Sequence, residues 1–202
     1  MRWSVCFISV LLLIWPTRGS AQFVIQNAGN MGVLSAGAGV DYGRHRQWET
    51  YLLAGYIPKH QSSRGKLTMT LKQNYIPWSI NLSQLLPAAT SQQAKQWSIE
   101  PLTASIYLNT VFGNEFWMTE PDRYPDGYYG SINSRLRLNI ALGQRVSWHI
   151  PRKNGKRSRS ISLFYEISTC DLYLSAKFED GSIPLKDIIG LSVGLKLGLS
   201  HE

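Results

Sequence analysis

Between residues 131 and 150 apolar and polar side chains alternate almost without a break. Ile132, Leu136, Leu138, Ile140, Leu142, Val146, Trp148 and Ile150 share one parity, and Asn133, Arg135, Arg137, Asn139, Arg145, Ser147 and His149 share the other. Successive side chains of a strand point to opposite faces, so this period of two predicts one long strand with an apolar and a polar face. A two-residue turn at Gly143-Gln144 would carry Val146 and Trp148 to the polar face, so a single strand is the simpler reading.

The strand ends at Lys153-Asn154-Gly155-Lys156, where Asn-Gly is a strong hairpin signal. On the return, Ile161, Leu163, Tyr165 and Ile167 alternate with Ser160, Ser162, Glu166 and Ser168, and Phe164 alone breaks the polar face. A tight turn at Thr169-Cys170 predicts a strand over 172–178, and Asp180-Gly181 predicts another over 183–199. Four less regular strands are read at 34–42, 48–56, 67–71 and 102–108, making eight, with long connections at 77–97 and 113–130. No repeat or low-complexity linker divides the chain.

Alternation of this kind fits two closed barrels. In a soluble one the leucines form the core, and in a membrane one they face lipid while the polar row lines a small interior. The polar row mixes Gly, Ser and Asn with Lys72, Arg135, Arg137, Glu166 and Lys196, the composition of a filled lumen with internal ion pairs. Aromatic residues stand near the strand ends, among them Tyr42, Trp48, Tyr56, Tyr75, Trp97, Phe112 and Trp148, as in the two aromatic girdles of a membrane barrel. An arginine facing mid-bilayer lipid costs about 2–4 kcal/mol, so the arginines are expected inside and the leucines outside. The expected fold is all-β: a single antiparallel up-and-down transmembrane β-barrel of about eight strands.

The first residues change where this barrel is expected. Arg2, an apolar run from Val5 to Trp15, and Gly19-Ser20-Ala21 read as a secretory signal over 1–21, cleaved before Gln22, with the barrel over 22–202. The apolar run is too short to cross a bilayer as a helix. Cleavage removes Cys6 and leaves Cys170 without an intrachain partner. The full chain carries a net charge of +8, and Arg152, Lys153, Lys156, Arg157 and Arg159 concentrate positive charge at the hairpin tip. For an exported protein this implies lipopolysaccharide phosphates or acidic surface glycans as partners, not nucleic acid. With the N-terminus periplasmic, the eight strands as counted put this hairpin outside the cell and the 113–130 segment in the periplasm.

The signal, strand count and protruding hairpin resemble the small eight-stranded outer-membrane barrels of Gram-negative bacteria. The segments "LKQNYIPWSI", "FGNEFW" and "EPDRYPDGYYG" resemble those of uncharacterised outer-membrane proteins of the Bacteroidota. The resemblance implies location and fold, not an activity; the protein is separately expected to be a monomer surrounded by outer-membrane lipid, with a structural or surface-binding role and no cofactor.

Two alternatives remain open. Some small outer-membrane barrels are lipid A deacylases that use a His and a Ser two apart. Ser147 as nucleophile and His149 as base are the candidate pair here, in reversed order. The other alternative is a soluble periplasmic barrel carrying an apolar ligand. His60 and His201 lack partners at ligand spacing, so no metal site is expected. Glu115, Glu120, Asp122 and Asp126 crowd the 113–130 connection, where clustered oxygens are compatible with Ca²⁺.

Overall fold

The computed structural model describes residues 20–28, 31–59, 65–85, 94–113, 135–150, 158–171 and 188–200. Among these residues nine strands run in chain order: β1 (Ala21–Ala28), β2 (Leu34–Tyr42), β3 (Trp48–Ile57), β4 (Lys66–Tyr75), β5 (Ile80–Asn81), β6 (Trp97–Phe112), β7 (Leu136–Ile150), β8 (Ser158–Cys170) and β9 (Gly190–Ser200). Each long strand pairs antiparallel with its neighbours, β4 pairs with β6, and β1 pairs with β9, which closes an eight-stranded barrel. The two-residue β5 adds to one end of β6 and leads into a single helical turn, α1 (Leu82–Leu85). No helix among the described residues is long and apolar enough to cross a membrane.

The barrel is inside out relative to a soluble one. Leu138, Ile140, Leu142, Leu163, Leu191 and Leu195 face outward, with Leu138 at 40% and Leu195 at 52% exposure. Inside lie Gln26, Glu49, Thr70, Lys72, Asn139, Arg145, Ser162 and Glu166, all buried. Eight strands leave an interior about as wide as its side chains, so large residues need small partners. They have them in cross-strand register: Tyr51 faces Gly39, Glu166 faces Gly143, and Phe164 faces Gly194. A Cβ on Gly194 would lie 2.3 Å from the Phe164 ring, so glycine at 194 is what admits the one aromatic that interrupts the serine row of β8.

The strand count agrees with the sequence reading, but the set of strands does not. Ala21–Ala28 forms the first strand, and no strand separates β8 from β9: β8 runs through Thr169 and Cys170, and Ser168 pairs directly with Gly190. The expected tight turn at 169–170 is therefore absent. Residues 172–178, and the Asp180-Gly181 turn, lie outside the described residues. β1 escaped the parity test because Val24 points inward between Phe23 and Ile25, turning an alternating stretch into an apolar triplet.

One added strand at the front reverses the sense of β2 to β8, while β9, the eighth barrel strand in both counts, keeps its expected sense. The turn at 43–47, the 76–96 connection and the hairpin at 151–157 all open at the barrel end that holds both Ala21 and Leu199. The connections at 113–135 and 171–189 open at the opposite end, the reverse of the arrangement expected from sequence.

Candidate functional site

The interior charges form two connected groups. Nearer the termini, Glu49 is 1% exposed and takes both terminal nitrogens of Arg145 at 2.8 Å and Lys196 Nζ at 2.6 Å. Arg145 Nε lies 3.1 Å from Glu100. Deeper, Lys72 Nζ reaches Glu166 at 2.5 and 2.7 Å, and Gln26 donates to Glu166 at 3.0 Å and to Ser192 at 2.7 Å. Three cations thus face three carboxylates. Opposite charges in mutual contact are the arrangement that makes buried ions tolerable. Tyr51 donates to Gln22, and Lys72 lies 5.6 Å from the Phe164 ring centroid.

Among the expected lumen charges, Lys72, Glu166 and Lys196 are buried inside, while Arg135 and Arg137 are half-buried at the end away from the termini. Sequence reading of β7 put Arg145 on the polar face but did not single it out, and it is the hub of the upper group. Glu100 was missed because 97–101 had not been assigned to a strand.

Met31 is fully buried, and its carbonyl accepts from Thr68 Oγ1 at 2.6 Å. At the termini's end the lumen widens into a vestibule of 430 Å³, within the size range of small-molecule sites. Its floor carries Glu49, Glu100 and Lys196; its wall Ser147, His149, Ser160, Ser162 and Gly198; and its rim Asp41, His45, Arg46, Trp78 and Arg159. The Ser20 N–H donates to Asp41 at 2.7 Å, so the residue preceding β1 lies on the rim as well. Arg46 closes the 43–47 turn with φ of 54°, a left-handed conformation unusual for a residue with a side chain.

Ser147 and His149 share the polar face, but they are not joined. Ser147 Oγ lies 2.8 Å from Ser162 Oγ, and His149 Nε2 lies 2.9 Å from Ser98 Oγ. Both hydroxyls are buried residues, with Ser98 outside the vestibule lining. Of the basic hairpin cations, Arg159 is exposed at the rim, while Arg152, Lys153, Lys156 and Arg157 lie outside the described residues. So do His60, His201 and the acidic 113–130 cluster apart from Gly113. Among the described residues no group of three His, Cys, Asp or Glu side chains is placed to hold a metal.

Outside, aromatic pairs ring the termini's end. Trp48 and Tyr75 have centroids 4.5 Å apart, and Trp97 stacks on Trp148 at 6.2 Å. Trp148 also donates to Gln96 at 3.3 Å. Tyr56 and Phe112 stand near the other end, exposed. Comparison with protein-family models, with curated proteins and with solved structures finds no match.

Proposed function

We propose that this chain is an integral outer-membrane β-barrel of a Gram-negative envelope, exported by a signal over 1–21, acting as a monomeric structural or binding element. The observation that carries the reading is the inverted distribution of polarity. An outer wall of Phe23, Leu52, Leu71, Leu138, Leu163 and Leu195 surrounds a lumen of three ion-paired cations and carboxylates. In water such a wall would be one continuous apolar surface, far larger than soluble monomers expose. Against hydrocarbon it is the favourable surface, and a closed barrel leaves no backbone group unpaired at an edge.

The aromatic rings support the same reading. Trp48 to Tyr56 spans eight residue steps of β3. At about 3.4 Å per residue and a tilt of about 40°, that is ~21 Å of height, close to the apolar band of outer-membrane barrels.

With both termini periplasmic, the 43–47 turn and the basic hairpin face the periplasm, where the hairpin cations meet inner-leaflet head groups. The long 113–135 and 171–189 connections face outward, as the long loops of such barrels do, while the 76–96 connection, with β5 and α1, is a long one on the periplasmic side. The test is fractionation of Gram-negative cells expressing the full chain. The protein should stay with the outer membrane through an alkaline wash and migrate differently on gels before and after boiling. Release into the soluble fraction would refute the reading.

A further inference from the structure

The vestibule has an imbalance between donors and acceptors. Glu49 is the carboxylate fully matched by donors of the chain, Arg145 and Lys196, while Glu100 only lies 3.1 Å from Arg145 Nε without a hydrogen bond, and Asp41 takes the Ser20 N–H of the uncleaved chain. The donors are not matched in the same way. The Arg159 guanidinium and the Ser160 hydroxyl engage no described residue. His149 uses one ring nitrogen on Ser98 and keeps the other, and Lys196 makes one bond of the three its ammonium can make.

The shape of the wall keeps these donors reachable. Ser147, Ser160, Ser162 and Gly198 are all small, and a Cβ added to Gly198 would lie 2.4 Å from Ser160 Oγ. A glycine at 198 therefore leaves Ser160 facing open space. The Glu49–Arg145–Lys196 and Lys72–Glu166 groups fill the lumen beneath it, so the space is a blind cup and not a passage. Trp78, 49% exposed at the rim, offers a flat apolar face beside the cations.

We infer that the vestibule is a binding site for an oxyanion, a phosphate ester held by Arg159, Ser160, His149 and Lys196 with its organic part against Trp78. Arginine is suited to the task because its planar fork matches two phosphate oxygens at once. The paired floor, with Glu49 and Glu100 answered by Arg145 and Lys196, contributes little net charge. Selectivity for an anion then comes from the donors above it. Asp41 stands at the rim too, released from Ser20 once the 1–21 signal is removed, and it disfavours ligands with a second negative group on that side.

Such an ester can be a free metabolite or the head group of a lipid reaching over the rim from the level of Trp148. Two probes separate these sources: glycerol 3-phosphate in solution, and phosphatidylglycerol in mixed micelles. The full-length protein, folded in a phosphate-free detergent, is titrated with each and followed by calorimetry and ³¹P line broadening.

Saturable binding of either probe is expected, weakened about tenfold in Arg159→Gln and also reduced in Ser160→Ala. Both residues are at least partly exposed, and shifted gel migration after boiling verifies that each variant folds. Arg135→Gln, which removes the same charge at the opposite end, should bind like the parent. Binding of glycerol 3-phosphate identifies a soluble ester, and binding of the lipid alone identifies a head group. The inference is overturned if neither probe saturates, if the two vestibule variants bind like the parent, or if Arg135→Gln weakens binding as much as Arg159→Gln does.

Discussion

Glu49→Gln is the most exacting test of how the lumen is held together. The carboxylate is almost wholly buried and receives three charged contacts, two from Arg145 and one from Lys196. Glutamine keeps the shape but replaces one acceptor oxygen with a donor and removes the negative charge. Three buried cations would then face two carboxylates, and Arg145 would keep only Glu100. Deleting one partner of a buried ion pair costs about 3–5 kcal/mol, because the other charge is stranded away from water. That is two to three and a half orders of magnitude in the unfolding equilibrium.

The assay is urea titration of the barrel folded in lipid vesicles, followed by tryptophan fluorescence, with gel migration as a second probe of the folded fraction. Lys196→Met and the double variant complete the cycle. The double variant removes one charge of each sign and leaves Arg145 with Glu100, so it should be less destabilised than the sum of the singles by about 1–3 kcal/mol. A Glu49→Gln barrel within about 0.5 kcal/mol of the parent, the scatter of ordinary surface changes, would show that this network does not hold the lumen together.

Three further outcomes follow from the same geometry. Leu142→Arg and Leu195→Arg, tested separately in bilayers, should each cost about 2–4 kcal/mol near the mid-plane, whereas leucines that met water would accept arginine at no cost. Gly194→Val should cost about 1–3 kcal/mol by overpacking against Phe164, and Phe164→Ala in the same chain should relieve part of it, the Ile25 carbonyl at 2.8 Å remaining; a simple sum of the two losses would contradict the pairing. Trypsin added to intact cells should spare the sites at 152–159 and cut at Arg123 or Lys177, with cleavage at 152–159 only after permeabilisation; the opposite pattern would reverse the orientation.

The architecture was readable from parity wherever the chain kept strict alternation. The rows of β7 and β8 point as their sequence parity requires, even at Phe164, whose inward position looked like an error and is an accommodation by Gly194. Parity could not supply the neighbour list. Residues 172–178 alternate as well as any strand, yet β8 pairs straight to β9, while β1 hides behind Phe23-Val24-Ile25 beside the expected cleavage site. Local pattern states which face a residue takes if it is in a strand, but hydrogen-bonded register alone decides which strands meet. For the same reason the vestibule was only half visible. Ser147, His149 and Lys196 were marked by type, whereas their grouping with Asp41, Arg46 and Trp78 depends on which turns share an end.

β6 shows how one irregularity sets both the lumen and the lipid face. From Thr103 to Asn109 the odd residues point inward, and continued alternation would turn Trp97 and Ile99 into the lumen and Glu100 into lipid. The register shifts between Glu100 and Thr103, where three steps of β6 match two of β7. Pro101 sits in that shift, at the kind of position where a missing N–H does least harm to the ladder. Beyond it the parity is inverted. Trp97 meets Trp148 on the outer wall, Ser98 meets Ser147 inside, and Glu100 comes opposite Arg145. A single extra residue thus keeps a carboxylate out of the apolar band, gives Arg145 its second partner and completes the aromatic ring at the vestibule end. An apolar-polar count that slips by one at a proline, with a charged residue just before it, is therefore a reason to expect a bulge before abandoning the strand.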